Sequence, residues 1–261
     1  MKISVCGKGG SGKSTVVALL AHQALERDLR VLVVDSDESN SGLFRMLGLE
    51  NPPVPLMDLV GGKANLKEGM SRSSLLNAAE IYLKDIPSAY LQGRDGLYQV
   101  SIGKILQAME GCACPMGVLS REFLKKLRMG ADEVAIIDME AGVEHFGRGI
   151  DEGIDRVLMV VEPSLESMAV AEKIKGFASG MNKKVSAVLN KTPSEAVAKR
   201  LKENLDRKGI EIVGEIPNDP LISEACLEGR IYTQGIAYAA AGRVLDRLLW
   251  DANRMLPSDG H

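Results

Sequence analysis

The run Gly7-Lys8-Gly9-Gly10-Ser11-Gly12-Lys13-Ser14-Thr15 constrains the architecture of this chain more than any other stretch. Ile3-Ser4-Val5-Cys6 in front of it reads as a buried strand, and Val16-Val17-Ala18-Leu19-Leu20 behind it reads as a helix. Gly-x-x-x-x-Gly-Lys-Ser between a strand and a helix is a P-loop. Backbone N–H groups of the glycine-rich turn and the positive end of the helix make a socket for phosphate oxygens. Lys13 is placed to reach the β- and γ-phosphates, and the Ser14 hydroxyl to hold Mg²⁺. The additional Lys8 cannot easily curl back onto its own loop's phosphate. It is placed to reach a nucleotide held by a second subunit, which points to an NTPase completed by dimerisation. The competing pattern is Gly7-x-Gly9-x-x-Gly12, a dinucleotide fingerprint with Asp35 as the ribose acid. It needs only three glycines and an acid, and it gives Lys13-Ser14-Thr15 nothing to do.

The rest of the chain repeats the same strand-then-helix unit. Strands are expected at Lys2–Cys6, Val31–Val34, Val134–Asp138, Arg156–Val161, Val185–Leu189 and Ile212–Ile216. Several are apolar throughout, as strands covered on both faces must be. Helices are expected at about Lys13–Arg27, Leu165–Ala178 and Glu195–Lys208. This alternation predicts an α/β fold: a single doubly wound, mostly parallel sheet flanked by helices. With 261 residues and no Gly/Ser linker, one domain over residues 1–261 is the expectation. An insertion at about 52–117 breaks the rhythm, with Pro52-Pro53-Val54-Pro55 at its start and a strand expected near Leu97–Ile102.

Bulk composition narrows the partners. Aromatics are only 4%, which disfavours a base-stacking surface, and the net charge of −3 advertises neither nucleic acid nor anionic lipid. No apolar run approaches the ~18 residues of a membrane span, so stable membrane insertion is not expected. The first residues enter a strand without a signal peptide, and four cysteines do not make a disulfide framework. A cytoplasmic location is the expectation.

Val33-Val34-Asp35-Ser36-Asp37 ends the second strand with two carboxylates on the edge where open α/β sheets bind ligands. Asp37 is a candidate to position the attacking water and contact the metal's water shell. Asp35 assists Mg²⁺ or caps the turn. Ile136-Ile137-Asp138-Met139-Glu140-Ala141-Gly142 is an apolar strand ending in an acid. Asp138 there can hold Mg²⁺ through a water, and the Gly142 N–H can sense the γ-phosphate. Glu140 beside that phosphate is electrostatically awkward. Asn190-Lys191 is placed to read a purine edge and pack on the ring, with Pro217 in Ile216-Pro217-Asn218-Asp219 closing the other side.

Cys112-Ala113-Cys114 lies between Gly111 and Pro115, in backbone expected to be extended or turning. Thiols at i and i+2 of an extended segment face one way and can clamp a soft metal. Two thiolates do not complete a four-coordinate site, but two copies across a two-fold axis supply four. Thiolates suit Zn²⁺, Ni²⁺ and Cu⁺. Buried small hydrophobes and a redox dithiol are the alternatives, the latter weakened by the strain of so tight a disulfide. Cys6 and Cys226 read as packing, His22 as a surface helix position, His261 as a tail residue and His145 as a possible ligand or phosphate sensor. The segment Ile236–Met255 reads as a helix packed on the sheet, since its polar face is not basic enough for a membrane.

With these motifs the chain resembles the deviant-Walker-A ATPases, the group of MinD, ParA, the arsenite-pump and tail-anchor-targeting ATPases and the nitrogenase iron protein. Gly7-Lys8-Gly9-Gly10-x-Gly12-Lys13-Ser14-Thr15 carries the match. Within that group it looks like the CooC-type accessory ATPases that mature the nickel centre of carbon monoxide dehydrogenase. That likeness rests on Lys8, Cys112-x-Cys114, Asp138-Met139-x-Ala141-Gly142-Val143-Glu144-His145 and Val161-Glu162-Pro163-Ser164. The resemblance implies ATP/ADP with Mg²⁺ as ligands and Lys8 acting across a homodimer. It implies phosphate and Mg²⁺ binding by Lys13 and Ser14, and switch roles for Asp37 and Asp138. It also implies Ni²⁺ or Zn²⁺ held by Cys112 and Cys114 in an intersubunit four-cysteine site, with a nickel enzyme, carbon monoxide dehydrogenase, as client. A positioning ATPase that binds membrane or DNA, and a nucleotide-gated metal or redox sensor, are the other readings.

Overall fold

A computed structural model of the chain describes residues 1–39, 42–104, 114–143, 146, 149–181 and 183–253. Its strands are β1 (Lys2–Gly7), β2 (Arg30–Asp35), β3 (Gln92–Arg94), β4 (Leu97–Ser101), β5 (Glu133–Asp138), β6 (Arg156–Val161), β7 (Lys184–Thr192) and β8 (Glu211–Pro217). All eight join one sheet in the order β3-β4-β2-β5-β1-β6-β7-β8. Every neighbouring pair is parallel except the β3–β4 hairpin at one edge. The expected α/β class, doubly wound and mostly parallel, is the one observed.

Why β1 sits at the centre follows from its composition. Lys2–Gly7 is buried from end to end, as is Arg156–Val161 beside it, so both need a neighbour on each edge and a layer on each face. The chain runs to one side of β1 for β2 to β5 and returns to the other side for β6 to β8. The carboxyl ends around β1 are therefore a switch point, where such sheets hold their ligands.

One face of the sheet is covered by the P-loop helix Lys13–Leu25 and the C-terminal helix Gly235–Asn253, through Val16, Leu19, Leu20, Val244, Leu245 and Leu248. Arg27 also reaches Asp246 at 2.7 Å. The C-terminal helix thus packs on the body of the protein, and no helix among the described residues is long and apolar enough to cross a membrane. The other face carries the helices Cys114–Lys126, Leu165–Gly180 and Glu195–Arg207. Ser164 and Ser194 cap the last two by accepting from Ser167 N–H and Val197 N–H.

Three features differ from the sequence reading. His22 is buried, its Nε2 3.0 Å from the Met46 carbonyl, because the P-loop helix is covered by residues 43–47 as well as by the sheet. Cys226 is exposed, since its helix Pro220–Glu228 buries only Ala225. The stretch after Pro52 is woven into the core: short helical turns bury Leu56, Val60, Leu75 and Leu76, and β4 lies parallel to β2. Such turns bury one or two leucines each and leave no helical periodicity to read.

Candidate nucleotide site

The P-loop leaves the carboxyl end of β1 and is shaped by glycines in conformations that other residues avoid. Gly10 has φ +78° and Gly12 has φ +92°. A Cβ on Gly7 would lie 2.6 Å from the Val160 carbonyl oxygen, and one on Gly12 would lie 2.4 Å from Asn190 Nδ2. These are places where backbone must approach backbone or side chain closely, so the loop can wrap an anion. Lys13 and Ser14 start the helix behind it, and Lys13 is buried at the loop's mouth.

Three carboxylates close the site on the β2–β5 side. Asp35 and Asp138 are directly paired across the strands, and Asp37 follows two residues later; all three are buried. Burial, with the Asp35 charge next, pushes the Asp138 carboxyl up to about 7. Burial likewise pushes Asp35 up to about 6, with Lys104 pulling the other way. The Ser14 hydroxyl is turned to the Asp138 carboxylate, which has no other hydrogen-bond donor among the described residues, so a cation would satisfy it. The residues present therefore fit Mg²⁺: Ser14, Asp37 and Asp138 would hold it or its waters, and the ion would neutralise phosphate charge. Asp37 Oδ1 meanwhile accepts from Ser39 N–H at 2.9 Å and from the Ser39 hydroxyl at 2.6 Å. The Gly142 N–H donates to the Gly7 carbonyl at 3.1 Å, which ties the loop after β5 to the P-loop.

Two residues here carry weight that sequence reasoning did not assign. Lys104, just past β4, places its ammonium 2.7 Å from Asp35 Oδ2 and donates to the Asp37 carbonyl. Glu162, at the end of β6, accepts from Lys8 at 2.9 Å and faces Lys191 Nζ at 3.6 Å. A charged residue next to a strand's carboxyl end was the available signal in both cases.

On the other side of the P-loop, β7 continues through Asn190 and Lys191 to Thr192 instead of stopping at Leu189. Asn190 is buried, and its amide donates to the Ser11 carbonyl at 2.8 Å, bracing the P-loop from beneath. Lys191 takes φ +56° at a register shift and turns its ammonium onto the Gly10 carbonyl. Pro217 is in register with Thr192, so the two strand ends lie side by side next to the P-loop. Asp219 caps the next helix, accepting from Leu221 N–H at 3.2 Å and from the Tyr232 hydroxyl.

Cys112, with Glu144, His145 and His261, lies outside the described residues, and Cys114 opens the helix Cys114–Lys126. Among the described residues no group of three or more His, Cys, Asp or Glu side chains is arranged to hold a metal ion, so Mg²⁺ at Asp37 and Asp138 would draw its other ligands from Ser14, water and phosphate.

Comparison with known proteins agrees with this geometry. Residues 3–231 match the model of the CobQ/CobB/MinD/ParA nucleotide binding domain. An uncharacterized ATP-binding protein of Methanocaldococcus jannaschii is 40% identical over 88% of this chain and 92% of its own length. The carbon monoxide dehydrogenase accessory protein CooC of Rhodospirillum rubrum is 32% identical over 86% of each chain. Among solved structures, the septum site-determining protein MinD of Pyrococcus horikoshii, complexed with Mg-ADP, superposes with a TM-score of 0.71. It covers 97% of both chains at 19% identity, which speaks to the fold alone. A P-loop, a buried carboxylate cluster and a family match spanning most of the chain lead to one assignment: this is a nucleotide-hydrolysing P-loop ATPase of the CobQ/CobB/MinD/ParA family.

Proposed function

We propose that this protein is a cytoplasmic accessory ATPase that dimerises around ATP and a cysteine-bound metal and supports nickel insertion into a client such as carbon monoxide dehydrogenase. The observation that carries this reading is the likeness, along most of both chains, to an accessory protein of that enzyme. The Cys112-x-Cys114 pair supports it, because two thiolates per chain make a complete soft-metal site only between two chains. Lys13 and the P-loop N–H groups hold the phosphates, while Ser14, Asp37 and Asp138 serve Mg²⁺ and the attacking water. Lys8 of one protomer reaches the nucleotide of the other and neutralises charge on the transferred phosphoryl group, as an arginine finger does. Asn190, Lys191 and Pro217 border the base. Catalysis comes from positioning and charge neutralisation, with nickel as cargo or Zn²⁺ as a clasp.

The test is metal content measured together with absolute mass by light scattering. Wild type is compared with a Cys112→Ala/Cys114→Ala variant, with Ni²⁺ or Zn²⁺, with and without ADP. One metal per dimer in the wild type, lost in the variant, is the expected result. A protein that ignores metal yet dimerises on ATP removes the metal role and leaves a positioning ATPase, for which co-sedimentation with lipid vesicles or DNA is the next assay.

A further inference from the structure

Lys104 carries its charge into the candidate site from just beyond β4. Its side chain is 13% exposed and that of its partner Asp35 is 3% exposed, so the pair at 2.7 Å is almost dry. The same ammonium donates to the backbone carbonyl of Asp37. Ser36, between the two, is held by Ser120 Oγ at 2.9 Å and donates its N–H to the Asp138 carbonyl at 2.9 Å. The loop after β2 is thus fixed from β4, from the helix Cys114–Lys126 and from β5 at once. Among the described residues, the charged groups that act on Asp35 and Asp138 are Asp37, Lys13 and Lys104 and the two carboxylates on each other; the hydroxyl of Ser14 lies against Asp138, and Ser101 is in register with Asp35. Three carboxylates crowded into a buried pocket repel one another. A nucleotide-borne Mg²⁺ neutralises those it touches, and a fixed cation is needed for the one behind them.

We propose that Lys104 is a positioning residue for hydrolysis: by pairing with Asp35 and gripping the Asp37 carbonyl, it sets the Asp37 carboxylate for the water and Mg²⁺ side of the γ-phosphate. It does not itself bind nucleotide. The proposal rests on the role given above to Asp37. Its consequence is selective: ground-state nucleotide binding, made by the P-loop, is independent of Lys104, while the step that needs Asp37 in register is not.

The experiment compares Lys104→Met, Lys104→Arg and Asp37→Asn in the full chain. It reads kcat and KM for ATP, the affinity for a fluorescent ADP analogue with Mg²⁺, and hydrogen exchange across residues 30–39. Misplacement on the ångström scale predicts for Lys104→Met a kcat about 100-fold lower, with KM and ADP affinity within about threefold. Exchange across 36–39 quickens, and Lys104→Arg recovers most of the lost rate. Unchanged kcat, a parallel loss of ADP affinity, or an arginine variant no better than methionine overturns the proposal. If Lys104→Met does not fold, Asp35→Asn/Lys104→Met removes both charges; it keeps the same kcat defect, and full activity in it overturns the proposal. An active Asp37→Asn sinks the reading of Asp37 itself. An inactive Asp37→Asn beside an active Lys104→Met sinks only the role of Lys104.

Discussion

Two lysine–carboxylate pairs flank the P-loop at nearly equal distance, and they lie in different environments. Lys104–Asp35 at 2.7 Å is mostly withdrawn from water, with side chains 13% and 3% exposed. Lys8–Glu162 at 2.9 Å lies open to water, at 34% and 17%. Bond length says little about what each pair does. A buried pair cannot be separated without stranding a charge, which costs several kcal/mol, so it acts as architecture. A pair in contact with water is worth about 0–1 kcal/mol and exchanges partners readily. Glu162, which pushes the Lys8 ammonium above its usual range through their hydrogen bond, also faces Lys191 and can release Lys8 cheaply. The exposed pair is therefore suited to hand its lysine to a second nucleotide, and the buried pair to stay put.

The sharpest way to break this contrast is at the two P-loop lysines. Lys13→Ala is expected to abolish nucleotide binding and turnover together. Lys8→Ala is expected to keep nucleotide affinity and lose turnover by about 10³-fold or more, as removal of a finger residue does. Nucleotide titration beside a phosphate-release assay separates the two, and normal hydrolysis by Lys8→Ala would end the argument for a lysine acting in trans.

A smaller effect is expected at the buried acid. Asp138 titrates near 7 in the fold against about 4 when unfolded, so between those values the folded state binds the extra proton. Nucleotide-free stability therefore falls as pH rises from about 4 to 7, and levels off above that. Asp138→Asn should flatten this slope, leaving the part that Asp35 contributes, and, at pH 8, raise the stability of the nucleotide-free protein by about 1–2 kcal/mol while hydrolysis is lost. Thermal melts of both proteins at pH 5, 7 and 8 read this directly; a variant less stable at pH 8 contradicts a destabilising buried charge.

The mildest change is Glu162→Gln. It should shift stability by less than about 1 kcal/mol, because the ion pair it weakens is open to water. A drop of several degrees in Tm would mean that Lys8 and Glu162 form architecture too, and the contrast would blur.

Much of this was legible without coordinates. The P-loop needs only local chemistry, a glycine turn between an apolar strand and a helix, and the strands at Arg156–Val161 and Val185–Leu189 announce themselves as apolar runs. Asp35, Asp37 and Asp138 were legible because acids at the carboxyl ends of apolar strands have few other places to be. The partners of Lys104, Ser120 and Glu162 were not legible, since each acts on a residue far away in sequence. The burial of His22 and the exposure of Cys226 were missed for the same reason: each depends on which neighbouring element covers that turn of helix.

The sequence by itself determined the class of fold, the phosphate-binding loop and the set of acids around it, because periodicity, glycine spacing and strand-end carboxylates are local properties. Tertiary structure alone decided that Asn190 braces the P-loop through Ser11, that Lys104 neutralises Asp35, and that Glu162 holds Lys8. Charge pairing and burial are set by strand order and register, and in a parallel sheet these bring together residues that the chain itself keeps dozens of positions apart.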